Sequence, residues 1–210
     1  MIRKTFPVPP LGCNCTILGD PVTKQAIVVD PGGDPLGILR AVSEMGLTVV
    51  GIYHTHAHFD HFLASGAVQQ ATGAPIFLHE ADQELWDLLD VQCRLFGIGY
   101  EAAPKPDHLM KDEEPIPVGG QSGVALHTPG HTPGSLSLSF PADRLVLAGD
   151  TLFQGAIGRT DLWGGDVKAI ERSIRERLYT LDEQTVVVTG HGPETIIGFE
   201  REENAYIRGR

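Results

Sequence analysis

Four of the chain's nine histidines fall within eight consecutive positions, His54-Thr55-His56-Ala57-His58-Phe59-Asp60-His61, beside a carboxylate. Imidazole nitrogens and carboxylate oxygens are ligands for zinc and, in other geometries, for iron or manganese. A run this short can direct side chains to two adjacent metal ions if its backbone turns sharply. A His-rich surface loop would have the same composition, so the rest of the chain has to decide.

The second half supplies further donors at regular places. Val124, Leu126 and Thr128 alternate as a half-buried strand does, and the run ends in Pro129-Gly130-His131-Thr132-Pro133-Gly134. Leu145 to Ala148 runs into Gly149-Asp150-Thr151, and Thr185 to Thr189 into Gly190-His191-Gly192. Each strand thus delivers one His or Asp just past its apolar run. A glycine stands directly before each, where it lets the backbone turn or approach closely. With the cluster, four strand ends provide a two-metal set of seven side chains once His54, the cluster member nearest the strand, is set aside.

The elements that must position these residues are legible too. Residues 15–18 and 26–29 flank Gly19-Asp20-Pro21 and read as a hairpin. The second strand closes abruptly at Asp30-Pro31-Gly32-Gly33, where Asp30 is a possible ligand but reads rather as a turn brace that supports the ligands. Residues 35–45 form a helix through Ile38, Leu39, Val42 and Met45, with proline at its start and Gly46 at its end. Residues 49–53 are a buried strand running straight into the histidine cluster. A helix over 62–71, a strand over 75–78 and one amphipathic helix over 81–96 follow, the last carrying Leu85, Leu88, Leu89 and Gln92 near one face. The stretch 97–120, rich in glycine, proline and charge, reads as a loop. Residues 136–140 alternate again, and 166–181 form a helix.

The chain of 210 residues is 41% hydrophobic, enough for one substantial domain. Twenty-seven acidic against sixteen basic residues give a net charge of −11, which repels nucleic acid and anionic membrane surfaces, so neither is an expected partner. No apolar run approaches roughly 18 residues. A soluble, cytoplasmic protein is expected. Cys13 and Cys15 are too close for an ordinary disulfide and, with Cys93, leave an odd number. All three read as reduced thiols without assigned chemistry.

The motifs Thr-His-Ala-His-Phe-Asp-His, Pro-Gly-His-Thr-Pro-Gly, Gly-Asp-Thr-Leu-Phe and Gly-His-Gly-Pro together resemble those of the metallo-β-lactamase superfamily, over nearly the whole chain. The resemblance implies an α/β fold, a metallo-β-lactamase-like four-layer αββα sandwich with the metals at one edge of the paired sheets. It also implies the ligands: His56, His58 and His131 for a first metal, Asp60, His61 and His191 for a second, and Asp150 bridging. The cofactors would be two divalent metal ions, zinc first, with iron or manganese as alternatives. His54 lies outside the matched pattern and reads as a buried supporting residue; His79, His108 and His127 match nothing. A bridging Asp150 argues against β-lactam hydrolysis.

Within the superfamily, Gly155-Ala-Ile-Gly158-Arg159-Thr160-Asp161-Leu162 followed by Gly164-Gly165-Asp166 resembles the short glyoxalase II-like hydrolases. That implies a single domain over 1–210, lacking the C-terminal helical domain that supplies glutathione-binding surface in longer glyoxalase II enzymes. The implied activity is hydrolysis of S-lactoylglutathione or a related small-molecule thioester by a metal-bridging hydroxide, with Asp60 binding metal and orienting the nucleophile. Arg159 would meet a substrate carboxylate or brace Asp161. Two other readings stay open: an iron-dependent persulfide dioxygenase holding one iron through His56, His131 and Asp150, and a non-enzymatic metal-binding protein of the same fold. The oligomeric state is not readable.

Overall fold

Val29 ends one buried strand, and the next core strand of the same sheet runs parallel to it, so the chain must cross over between them. In the computed structural model, which describes residues 1–100 and 102–208, a helix makes that crossing. The strands are β1 (Ile2–Val8), β2 (Cys13–Gly19) and β3 (Gln25–Val29), followed by helix α1 (Pro35–Glu44) and strand β4 (Thr48–Tyr53). Asp34 caps α1 by accepting from the Gly37 amide at 3.1 Å, with Pro35 at the first helical position, where no amide partner is needed. Ile38, Ala41 and Val42 form the buried stripe of α1.

The chain forms two compact units, Met1–Met110 with Pro117–Ser122, and Lys111–Ile116 with Gly123–Arg210. The first unit continues through α2 (Ser65–Thr72), β5 (Ile76–His79), α3 (Gln83–Asp87), α4 (Leu89–Leu95) and β6 (His108–Met110). Its sheet runs β1-β2-β3-β4-β5-β6 in space, antiparallel from β1 to β3 and parallel from β3 to β6. Ile17, Val28, Ile52, Ile76 and Leu78 pack its core with Ile38 and Val68 from the helices.

The helix expected over 62–71 begins later, because residues Phe59–His61 wind into a 3-10 turn first. The helix expected over 81–96 is broken at Leu88. There the Gln92 amide donates to the Leu85 carbonyl at 2.9 Å, and the Leu88 amide reaches the same carbonyl by a three-residue turn. A side chain that engages a backbone carbonyl competes with the helical ladder at that point. The stretch 97–120, expected as loop, contains two short strands, β6 and β7 (Pro115–Val118); residue 101 lies outside the described residues. Three or four residues are too few for a periodic signal, and prolines are tolerated on an edge strand such as β7.

The second unit contains β8 (Gln121–His127), β9 (Leu136–Phe140), β10 (Leu145–Gly149), the small hairpin β11 (Leu152–Phe153) and β12 (Ala156–Ile157), α5 (Val167–Ser173), β13 (Val186–Thr189), β14 (Thr195–Ile196) and α6 (Ile197–Glu203). Its sheet order is β14-β13-β10-β9-β8-β7, with β10 and β13 parallel. The helix expected over 166–181 begins with Asp166 capping the Lys168 and Ala169 amides, then widens into a π-helical turn over Ile174–Leu178. Ile170, Ile174 and Leu178 pack against Val146, Ala148 and Val187.

Candidate metal centre

In the first unit, parallel pairing sets Val29 opposite Tyr53, so β3 and β4 release their next residues at the same sheet edge. The Asp30 amide bonds the Tyr53 carbonyl at 3.0 Å, which places the Asp30 carboxylate against the start of the histidine cluster. Asp30 Oδ1 accepts from the Thr55 amide at 2.8 Å, and Oδ2 accepts from the Thr55 hydroxyl at 2.6 Å. Oδ2 also lies 3.0 Å from His61 Nδ1. Gly32 is required nearby, because a Cβ there would overlap the Asp60 carbonyl. The supporting role expected of Asp30 is the one its geometry has.

The cluster itself is compact and buried, with His58 the more accessible member. The His56 ring lies 4.8 Å from the His58 ring and 4.1 Å from the His61 ring, between centroids. His61 Nε2 approaches Asp60 Oδ2 at 3.8 Å. Two further residues hold the loop from behind. The buried Asp82 carboxylate accepts from the Ala57 amide at 3.0 Å. Gln92 accepts from the Phe59 amide and donates to the Ala57 carbonyl, both at 3.1 Å, so α4 is fastened to the turn that carries the ligands.

His54 points away from this set. It is fully buried, its Nε2 lies 3.1 Å from Ser65 Oγ, and its ring stacks on Phe62 at 4.1 Å. Burial pushes its pKa down to about 3, so it is neutral. It is a supporting residue, as its place outside the motif implied. Cys13 was assigned no chemistry, yet its Sγ lies 3.3 Å from His61 Nδ1, and burial raises its thiol pKa to about 12. Cys13, Asp30 and His61 thus form a tight donor cluster, with Cys13 in its protonated form. Among the described residues all three cysteines are free and buried.

In the second unit, parallel pairing of β10 with β13 sets Gly149 opposite Thr189, and the Gly190 amide bonds the Gly149 carbonyl at 2.8 Å. Asp150 and His191 therefore leave neighbouring strand ends side by side. His131 sits in a loop pinned by α5: the Asp166 amide bonds the Gly130 carbonyl at 2.8 Å, and Ser173 Oγ donates to the Pro129 carbonyl at 2.8 Å. His131 Nε2 lies 3.5 Å and His191 Nε2 3.8 Å from the same atom, Asp150 Oδ2. These separations exceed a hydrogen bond. They are close to the roughly 3.3 Å edge of a tetrahedron whose donors stand about 2.0 Å from a central cation.

His131 Nδ1 lies 2.8 Å from the Arg159 carbonyl, which can only accept, so Nδ1 carries the proton and Nε2 is left as the donor. The Asp30 carboxylate does the same for His61. Both rings therefore offer unprotonated nitrogens on the side of the carboxylates, and imidazole nitrogens with carboxylate oxygens are the donor types that fit divalent cations. The Arg159 guanidinium makes a two-pronged bond to Asp161, at 2.7 and 2.9 Å, which is the bracing alternative of the two considered. Its side chain stays more than half exposed. His127 bonds the Pro133 carbonyl and His79 the Ala81 amide, both away from the ligands.

The structure thus brings His56, His58, Asp60 and His61 together in the first unit, and His131, Asp150 and His191 in the second. Sequence reasoning missed Thr55, Asp82, Gln92 and the Arg159 carbonyl. Asp82 looks in sequence like an ordinary polar residue of a helix start, Gln92 lies near the apolar face but its partners are distant in sequence, and a backbone carbonyl has no sequence signal at all.

Residues 8–191 match the profile of the metallo-β-lactamase superfamily. The chain is 40% identical to the probable metallo-hydrolase YqgX of Bacillus subtilis, over 98% of this chain and 97% of the relative. It is 34% identical to the hydroxyacylglutathione hydrolase GloC of Haemophilus influenzae, over 98% and 97%. Among solved structures it resembles the BLEG-1 B3 metallo-β-lactamase, with TM-score 0.91 and 37% identity over 98% of this chain and 99% of that one. TTHA1623 in a di-iron-bound form gives 0.89 and 33%, over 97% and 100%. ETHE1 from Myxococcus xanthus gives 0.83 and 27%, over 100% and 86%. The α/β fold is that of the superfamily. No helix of the described residues is long and apolar enough to cross a membrane.

Proposed function

The chain belongs to the metallo-β-lactamase superfamily, among metallo-hydrolases, and we propose that the bond it hydrolyses is a thioester, in S-lactoylglutathione or a related small molecule. In this reading His56, His58 and His131 would hold one divalent metal and Asp60, His61 and His191 a second, with Asp150 completing the ligand set. The observation that carries it is the position of Asp150 Oδ2, shared between the Nε2 atoms of His131 and His191. A carboxylate oxygen flanked by two imidazole nitrogens at these separations is a donor arrangement that would suit a divalent cation. Zinc is proposed as the resident metal, with iron the alternative, because the related TTHA1623 binds two irons.

Two bound divalent cations supply Lewis acidity towards the carbonyl and lower the pKa of a water molecule to near neutrality. The chain's own groups do the rest. Asp60, nearly buried, accepts a hydrogen bond from the attacking water and aims it at the carbonyl carbon. Water adds, the C–S bond breaks, and a carboxylic acid and a thiol leave. The Arg159 carbonyl and Asp30 keep the His131 and His61 rings oriented throughout. Thioesters as the substrate class are supported by the likeness to GloC. The free, buried cysteines fit a reducing compartment, and the cytoplasm is our proposed location.

The test is metal analysis of protein purified without added metal, paired with hydrolysis assays on S-lactoylglutathione. Two metals per chain with thioester cleavage support the reading. One iron per chain with oxygen uptake on a persulfide would replace it by the dioxygenase alternative. A β-lactam serves as a control substrate, since BLEG-1 is described as a β-lactamase although Asp150 argues against that activity here.

A further inference from the structure

The hydroxyl of Thr55 stands between a carboxylate and a histidine. Its Oγ1 lies 2.6 Å from Asp30 Oδ2 and 3.0 Å from His56 Nδ1, and all three residues are buried. A hydroxyl has one proton to donate and two lone pairs that accept. Asp30 already accepts from the Thr55 amide and is only an acceptor, so the short bond takes the hydroxyl proton. What remains on Oγ1 towards His56 is a lone pair. Nδ1 of the neutral His56 ring must then carry the proton, and Nε2 is left bare.

We propose that Thr55 is a positioning residue that fixes the tautomer of His56, relaying the acceptor character of Asp30 to a histidine that Asp30 does not itself touch. One carboxylate then sets two rings, His61 directly at 3.0 Å and His56 through the hydroxyl. The inference rests on the two-metal reading only where it assigns His56 and His61 to different metals. Thr55 therefore acts on the first metal alone, whereas Asp30 acts on both. A hydroxyl placed merely to fill space would have no such selectivity.

The experiment uses the full chain stripped of metal, with Thr55→Val, Thr55→Ser and Asp30→Asn beside the parent protein. Long-range nitrogen–proton NMR of the histidine rings reads the tautomers directly. In the parent protein His56 is expected as the Nδ1-protonated form; an Nε2-protonated His56 overturns the proposal, whatever the variants do. Titration with Zn²⁺ against a chelator then reads the two affinities. Thr55→Val is expected to weaken one of two binding events by about 10- to 100-fold and spare the other, with recovery in Thr55→Ser, as removal of a ligand's supporting partner does. Asp30→Asn is expected to weaken both. Two parent-like affinities in a folded Thr55→Val protein overturn the relay. Because neither readout needs a substrate, failure of thioester hydrolysis leaves this result standing, and its failure leaves the hydrolase reading standing.

Discussion

Gly158 follows the small hairpin after Asp150, and substituting alanine there tests how the second unit aims its ligands. A Cβ at this position would overlap the Asp150 carbonyl oxygen, and would lie 3.0 Å from the Asp150 carbonyl carbon and 3.3 Å from His131 Cβ. Non-bonded carbons prefer about 3.5 to 4.0 Å, and a carbon and a carbonyl oxygen about 3.3 Å or more, so relief requires the Asp150 peptide to shift by more than about 1 Å. The hairpin cannot easily move instead. The Gly155 amide is held by both oxygens of the buried Glu200 carboxylate, at 3.1 and 3.0 Å, and Glu200 is itself fixed by Thr195 and Asn204. Forcing in a methyl group costs on the order of 1–3 kcal/mol of stability. A displacement of about 1 Å in a catalytic group lowers turnover by roughly 100-fold. Gly158→Ala is thus expected to melt lower, to lose affinity for at least one metal equivalent, and to hydrolyse thioester about two orders of magnitude more slowly. Gly99→Ala, where nothing lies within 4 Å and the backbone is not left-handed, controls for glycine replacement at large and keeps its metals. Parent-like turnover and metal affinity in Gly158→Ala would refute the claim that this close approach positions Asp150.

Asp60→Ala is expected to abolish most turnover while the melting transition stays cooperative; near-normal turnover at full metal loading rules out its role in aiming water. Gln92→Ala removes two hydrogen bonds that join α4 to the ligand turn and a third to the Leu85 carbonyl of α3, and should cost on the order of 1–3 kcal/mol, with faster amide exchange at Ala57 and Phe59; unchanged exchange there would show that the turn stands without it. The Asp20 pKa is lowered from 3.8 to about 2, chiefly by the Gly120 amide and then by the Val22 amide. Its folded pKa lies below the unfolded one, so the stability it gives is present above pH 4 and is lost as pH falls towards 2. Asp20→Asn should melt below the parent at neutral pH, with the gap closing over that acid range; a gap independent of pH contradicts the linkage. Arg159→Ala is expected to alter melting little, since the ion pair with Asp161 is exposed, and a raised KM would assign the guanidinium to substrate.

The positions of the candidate ligands along the chain were legible because each sits just past an apolar run, and the strand ends observed at Tyr53, His127, Gly149 and Thr189 are close to those read from the sequence. The α/β class followed from the same alternation of runs. Elements whose cause lies elsewhere were not legible. The break at Leu88 comes from Gln92 reaching back to Leu85, a contact that helical periodicity does not encode. β6 exists because Leu109 and its neighbours pair with β5, and β14 because Thr195 pairs with Val187. Neither has enough residues to alternate. Thr55 was part of the motif, yet its chemistry appeared only when Asp30, twenty-five residues away, was placed against it.

The two halves of the ligand set are oriented by different means, and this sets where each tolerates change. In the first unit the partners of His56 and His61 are side chains, Thr55 and Asp30. Asp30 also holds a left-handed backbone, with φ 51°, which aspartate tolerates better than most residues because its short polar side chain bonds locally. Replacing either side chain removes an orienting bond outright. In the second unit the partner of His131 is the backbone carbonyl of Arg159, and that carbonyl survives any side chain placed there. Its position depends instead on the chain passing closely at Gly158. Orientation in the second unit is therefore vulnerable at glycine and insensitive at arginine, whereas in the first it is vulnerable at the polar residues themselves.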